Sequence, residues 1–159
     1  LCDHLKNLII RKALLKDQAT LLSLEQEVIE AERPYNSTLK FKDAAYYDLD
    51  YLLIDKASHL IVAELKDKII ATGYAQIRAS KQSLNHTRHA YLGFMYVAAE
   101  YRGLGINKSI MGTLIDWSKE QGVSDVYLDV YDGNDAAIRA YEKVGFVKSM
   151  VEMKINMDV

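Results

Sequence analysis

The sequence predicts a mixed α/β domain whose first half is antiparallel and whose second half is a βαβ unit. Three observations carry this. Two β-forming runs, His59 to Leu65 and Lys68 to Ala79, are separated only by Lys66 and Asp67, which is hairpin spacing. Tyr91 to Trp117 reads as a buried strand, a glycine turn and an amphipathic helix, with Ile106, Ile110, Met111, Leu114 and Ile115 recurring at helical intervals. Ser124 to Tyr131 then supplies a further strand with alternating character. A doubly wound parallel sheet would need strand and helix to alternate from the start, and the Lys66-Asp67 hairpin breaks that rhythm.

In chain order, Asn7 to Ala13 reads as a first strand. Lys16 to Ala31 reads as a helix with Ala19, Leu21, Leu22, Leu24, Val28 and Ile29 along its apolar side. Pro34, the only proline, ends that region, and Arg33 to Lys40 form a polar loop. Ala44 to Lys56 has helical spacing in Ala45, Leu49, Leu52 and Leu53. After the hairpin, Ser80 to Arg88 is a polar loop. Gly122 closes the central helix, Asn134 to Lys143 is a short helix closed by Gly145, and Phe146 to Met157 supplies a last strand or hairpin. The order is β, α, α, β, β, β, α, β, α, β. Residues 1–159 read as one domain with helices on both faces of a mixed sheet.

Composition narrows the partners. Half the residues are hydrophobic and the net charge is -2, so there is no basic field to attract nucleic acid or an anionic membrane. Cys2 is the only cysteine, which forbids an internal disulfide and any cysteine-based zinc site. His4, His59, His86 and His89 are scattered without HExxH spacing, and there is no G-x-S-x-G elbow, so neither a metalloprotease nor a serine hydrolase is indicated. Asp3, His4, Lys6 and Asn7 interrupt the place where a signal peptide would need its apolar core. The expectation is a cytoplasmic, metal-free protein.

The turn Arg102-Gly103-Leu104-Gly105-Ile106-Asn107 carries the first chemical signal, because glycines at the mouth of a helix leave backbone N–H groups unshielded for an anion. A dinucleotide fingerprint needs a third glycine where Lys108 stands. A Walker A loop would need glycines at the positions of Arg102 and Asn107. The pattern that fits is R-x-x-G-x-(G/A), with Asn107 departing at the last position. Asn tolerates a left-handed backbone better than other non-glycine residues. The stretch resembles motif A of the GNAT superfamily, the acyl-CoA-dependent N-acyltransferases. The bland reading is an ordinary strand-to-helix connection.

A second motif follows at Asn134 to Phe146, NDAAIRAYEKVGF, which matches N-x-x-A-x-x-x-Y-x-x-x-G-F at every fixed position and resembles motif B of the same superfamily. As lone residues, Asn134 reads as a helix N-cap, Tyr141 and Phe146 as core, and Gly145 as a helix terminator. The resemblance implies the acyl-CoA N-acyltransferase fold, a central, mostly antiparallel sheet of about six to seven strands flanked by about four helices. It implies acetyl-CoA as cosubstrate and no metal. Its pyrophosphate would lie on backbone amides across Arg102, Gly103, Leu104, Gly105, Ile106, Asn107 and Lys108, with Arg102 adding a charge. The strand edge at Tyr96 and Val97 would pair with the pantetheine, the Val97 N–H would serve as oxyanion donor, Asn134 would bind the pantetheine arm, and Tyr141 would sit beside the sulfur.

The chemistry suits a tyrosine there. A phenol with a pKa of about 10 stays protonated at neutral pH and can hand a proton to a departing thiolate, whose conjugate acid lies near 8.5. The attacking amine needs a base, since a group with a pKa near 10.4 is mostly ammonium at neutral pH. Tyr91 to Val97 holds no carboxylate, which leaves Glu32, Glu64 and His89 as candidates. Tyr35, Tyr46, Tyr47 and Tyr51 are candidates to line the acceptor pocket, with core packing as the bland reading. The activity implied is N-acetyl transfer to a small-molecule or peptide amine by direct attack in a ternary complex, and a homodimer is compatible with the superfamily. The alternative is a catalytically silent acyl-CoA-binding sensor or partner module.

Overall fold

The computed structural model describes residues 5–158; Cys2 and His4, considered above, lie outside them. Five strands form one sheet in the order β1-β2-β3-β4-β5. They are β1 (Ile9–Lys12), β2 (Ser58–Leu65), β3 (Lys68–Ala79), β4 (Arg88–Val97) and β5 (Val126–Tyr127), with antiparallel pairing up to β4 and a parallel β4–β5 pair. The helices are α1 (Gln18–Glu32), α2 (Leu49–Ile54), α3 (Ile106–Glu120) and α4 (Asp135–Val144). Among the described residues no helix is long and apolar enough to cross a membrane.

The sheet is covered on both faces, which is why β2 reads as a nearly unbroken apolar run. Leu60 and Val62 join Leu21, Leu24 and Val28 of α1 and Leu49, Leu52 and Leu53 of α2 on one face. Ile61 and Ala63 join Ile106, Ile110, Met111 and Leu114 of α3 on the other. The predicted β2–β3 hairpin closes through Lys66 (φ 50°) and Asp67 (φ 61°), with Leu65 paired to Lys68. Two left-handed central residues give the turn twist that a two-residue hairpin favours.

Three expectations need correcting. The sheet has five strands among the described residues rather than six to seven, because Phe146 to Met157 forms none. A strand needs a neighbouring edge to pair with, and β5 offers only two paired residues, so Val147, Met150, Val151, Met153, Ile155 and Met157 stay exposed. Ser124 to Tyr131 shortens for the same reason to Val126–Tyr127. The helix expected from Ala44 begins only at Leu49. The fully buried Glu25 carboxylate accepts the backbone N–H groups of Tyr46 (3.3 Å) and Tyr47 (2.9 Å), which fixes that stretch as a loop, and Asp48 then caps α2 by accepting from the Tyr51 N–H.

Candidate active site

The site is organised by an irregularity in β4. Thr72 pairs with Tyr96 and Tyr74 with Gly93, so two steps along β3 match three along β4, and the extra residue falls at Phe94 and Met95. Phe94 takes up the bulge with φ 54°, a left-handed conformation that a bulky residue rarely adopts. Gly93 is required beside it because a Cβ there would lie 2.4 Å from the Tyr74 ring. None of this was legible beforehand; a glycine inside a strand was the one available signal.

The bulge decides which groups face the open edge. Ala98 N–H donates to the Ile70 carbonyl on β3 (2.8 Å), so by strand alternation the N–H and C=O of Val97 point away from β3. On that side β5 pairs only with Ala90 and Tyr91, which leaves β4 from Leu92 to Val97 without a strand partner. The Val97 carbonyl accepts from Arg102 Nε (2.9 Å), a bond that ties the turn to the strand end.

Beyond Val97 a single 3₁₀ turn (Ala99–Tyr101) leads into α3. Gly103 (φ 77°) and Gly105 (φ 83°) are both left-handed, and a Cβ on either would meet nothing within 4 Å. The need for glycine is therefore conformational rather than steric. Gly105 is the N-cap of α3 and offers no side-chain acceptor, so no cap side chain covers the first amides of that helix. Ile106 turns its side chain into the core and Leu104 packs half-buried against the same cluster, while the Lys108 side chain is exposed. Asn107 lies inside α3 and is absent from the left-handed residues, so a glycine-like backbone does not account for it. Its Oδ1 is buried without a hydrogen-bond partner. Arg102 is exposed, its guanidinium 5.7 Å from the Tyr96 ring centre. The buried Tyr96 hydroxyl donates to Glu27, which ties β4 to α1, and burial followed by that bond pushes the phenol up to about 12.

The remaining motif residues lie on or beside α4. Asn134 Oδ1 accepts the Ala137 N–H (3.3 Å) as the helix cap, which leaves its amide hydrogens uncommitted to that bond. Tyr141 is half-buried against the α3 face of the core, edge-on to Phe146 at 6.1 Å. Burial, then the negative charge of Glu32, pushes its phenol up to about 12. It stays protonated through neutral and mildly alkaline pH.

The three candidate bases separate clearly. His89 lies at the opposite end of β4 from Val97, eight residues or roughly 26 Å of strand away, with its Nδ1 2.9 Å from Ser80 Oγ. Glu64 is committed to Arg11 at 2.6 Å, a guanidinium that also holds Asp17. Glu32 closes α1 half-buried, and burial raises its carboxyl above the ordinary range. Among the candidate pocket tyrosines, Tyr46 and Tyr47 are half-buried in the loop that Glu25 holds. Tyr35 stacks on Tyr131 at 6.4 Å, and Tyr51 is exposed on α2. Tyr131, which sequence reasoning passed over, accepts from Asn36 Nδ2 (3.0 Å) and anchors the polar loop to the approach to α4. Among the described residues no three side chains of His, Cys, Asp or Glu converge as metal ligands.

Known proteins match this arrangement. A probable N-acetyltransferase camello of Xenopus tropicalis is 32% identical over 112 residues, which cover 70% of this chain and 48% of the frog protein. A Bacillus halodurans protein, solved as a mutant, superposes with a TM-score of 0.84 at 22% identity, covering 94% of this chain and 99% of that one. A predicted acetyltransferase of Clostridium acetobutylicum, solved with acetyl-CoA, gives 0.74 at 21% identity over 94% of this chain and 96% of that one. The chain spans about half the length of the camello relatives it matches. The family model for the acetyltransferase (GNAT) family matches residues 23–146, more than half of the chain, and the chain belongs to that family.

Proposed function

We propose that this domain transfers an acetyl group from acetyl-CoA to a primary amine of a small molecule or peptide, with both substrates bound at once. The observation that carries the reading is the unpaired β4 edge at Val97 facing the gap beyond β5, with a protonated Tyr141 on the helix that follows. The acetyl-CoA in the Clostridium relative supports the choice of donor.

The residues fit that donor. The amides from Arg102 to Lys108 open α3 behind a cap with no side-chain acceptor, where the helix dipole favours a diphosphate by about 0.3–1 kcal/mol per charge. The open edge at Val97, one residue past Tyr96, pairs with the pantetheine, and Asn134 donates to the same arm through the hydrogens its cap bond leaves free. The amine lone pair forms the C–N bond while the Val97 N–H stabilises the oxyanion. As the C–S bond breaks, the Tyr141 phenol gives its proton to sulfur and recovers one from the new ammonium nitrogen. The lone cysteine supports a reducing, cytoplasmic setting.

Thiol release from acetyl-CoA, measured against a panel of primary amines, tests this directly. Turnover with at least one amine is expected. Coenzyme A binding with no turnover on any of them would instead favour a silent acyl-CoA-binding module.

A further inference from the structure

Six large apolar side chains crowd into one stretch beyond α4: Val147, Met150, Val151, Met153, Ile155 and Met157, each 75% to 89% exposed. The stretch forms neither helix nor strand, and none of its residues is left-handed. Among the described residues no hydrogen bond ties residues 147–158 to the domain; the one bond within them runs from the Asp158 N–H to Asn156 Oδ1 (2.9 Å). Exposed apolar surface on this scale marks a contact with something else. The sequence of the stretch indicates what. From Val151 to Met157 apolar residues alternate with Glu152, Lys154 and Asn156, the period of a strand with one apolar and one polar face. Laid antiparallel against a second copy of itself and centred on Met153, the stretch sets Glu152 opposite Lys154, Lys148 opposite Asp158 and Val151 opposite Ile155, each pair formed twice. All four of its charges then face the opposite sign. A slip of one residue turns the apolar face of one copy to the charged face of the other. Changing the centre to Glu152 or Lys154 instead sets that residue against its own copy.

We propose that residues 147–158 are the contact surface for a second copy of this chain, the two pairing as an antiparallel ribbon about a twofold axis at Met153. Such a contact is closed, because each copy offers the other the same surface. Ladder hydrogen bonds take the amides that the single chain leaves to water, and the turn at Asn156 opens to bring Asp158 to Lys148. Six side chains at this exposure amount to on the order of 800 Å² per copy, the share that a stable interface needs. A two-stranded ribbon is not stable alone. This one leaves the domain at Phe146, whose N–H donates to the Tyr141 carbonyl (3.2 Å), so its apolar face closes back on the two domains it joins. The surface stands whether or not the domain transfers acetyl groups.

Sedimentation velocity on the whole chain tests it. The parent is expected to be a dimer at about 100 µM, a hundredfold above a micromolar Kd. Glu152→Lys sets two like-charge pairs in the ribbon and is expected to weaken the dimer about tenfold or more. Adding Lys154→Glu exchanges both signs and is expected to restore it. Far-UV circular dichroism of each variant shows that the domain folds. In a Cys2→Ser background, Met153→Cys, the position that meets its own copy, is expected to form an interchain disulfide on mild oxidation. Val151→Cys is not, since its two copies lie about 14 Å apart along the ribbon. A parent that is monomeric at about 100 µM overturns the proposal. So does a dimer that Glu152→Lys leaves at parental strength, or one in which Val151→Cys cross-links as readily as Met153→Cys.

Discussion

The ring of Tyr47 lies flat on that of Phe94, centroids 4.5 Å apart and planes 17° from parallel. Tyr47 belongs to the loop that Glu25 holds open, and Phe94 is the left-handed residue at the β4 bulge, so this stack joins that loop to the strand edge. The bulge shifts strand alternation by one, which is what turns Val97 rather than Tyr96 toward the open side. A bulky left-handed residue costs on the order of 1–2 kcal/mol, and burial of two aromatic rings more than offsets it. Phe94→Ala is therefore expected to destabilise the fold by about 3–5 kcal/mol in urea denaturation. A loss under about 1 kcal/mol would mean that the stack does not hold the bulge.

Tyr141→Phe separates chemistry from binding. The ring stays against Phe146 and the α3 face, and only the hydroxyl goes. Turnover is expected to drop by about one to two orders of magnitude, with coenzyme A affinity little changed. Because the phenol lies at about 12, Tyr141 itself is expected to cause no fall in activity through mildly alkaline pH. Unchanged turnover in the variant would remove Tyr141 from the reaction.

The elements that could be read from the sequence were those with strong local signals. The Lys66-Asp67 hairpin, the glycine turn before α3 and the capped helix from Asn134 to Gly145 all stand where periodicity and turn residues put them. Non-local relationships stayed hidden. The loop at Tyr46 and Tyr47 exists because Glu25, about twenty residues earlier, takes its amides, and no window of sequence contains both ends of that bond. Glu32 entered as one of three equal candidates. Only the fold separates it from Glu64, which Arg11 holds, and from His89 at the far end of the strand.

Gly105→Ala isolates the conformational demand of the turn. With nothing within 4 Å of the added Cβ, strain is the only folding cost, on the order of 1 kcal/mol for φ 83°. If the first amides of α3 hold the diphosphate, relaxing that strain moves them, and coenzyme A affinity is expected to fall about tenfold or more. Calorimetry beside a thermal melt checks both. A variant with the stability loss but parental affinity would separate the turn from coenzyme binding.

The last prediction concerns the fold beneath the site. Asp17, nearly buried at the start of α1, accepts from Arg11 Nη1 (2.7 Å) and Nη2 (3.0 Å) and from the Leu14 N–H (2.8 Å), while Arg11 also reaches Glu64 on β2. The hydrogen bonds to Arg11 outweigh burial and hold the Asp17 carboxyl below the usual carboxylate range. A carboxyl whose folded pKa is depressed contributes stability that is present above its unfolded value of about 3.9. That contribution is lost as pH falls through the folded value. Asp17→Asn is expected to cost about 1.5–3 kcal/mol at neutral pH. Urea denaturation of both proteins across the acid range checks the sign: the gap between them should be constant near neutrality and narrow below about pH 4. A gap that widens on acidification would show that burial, rather than Arg11, dominates at Asp17.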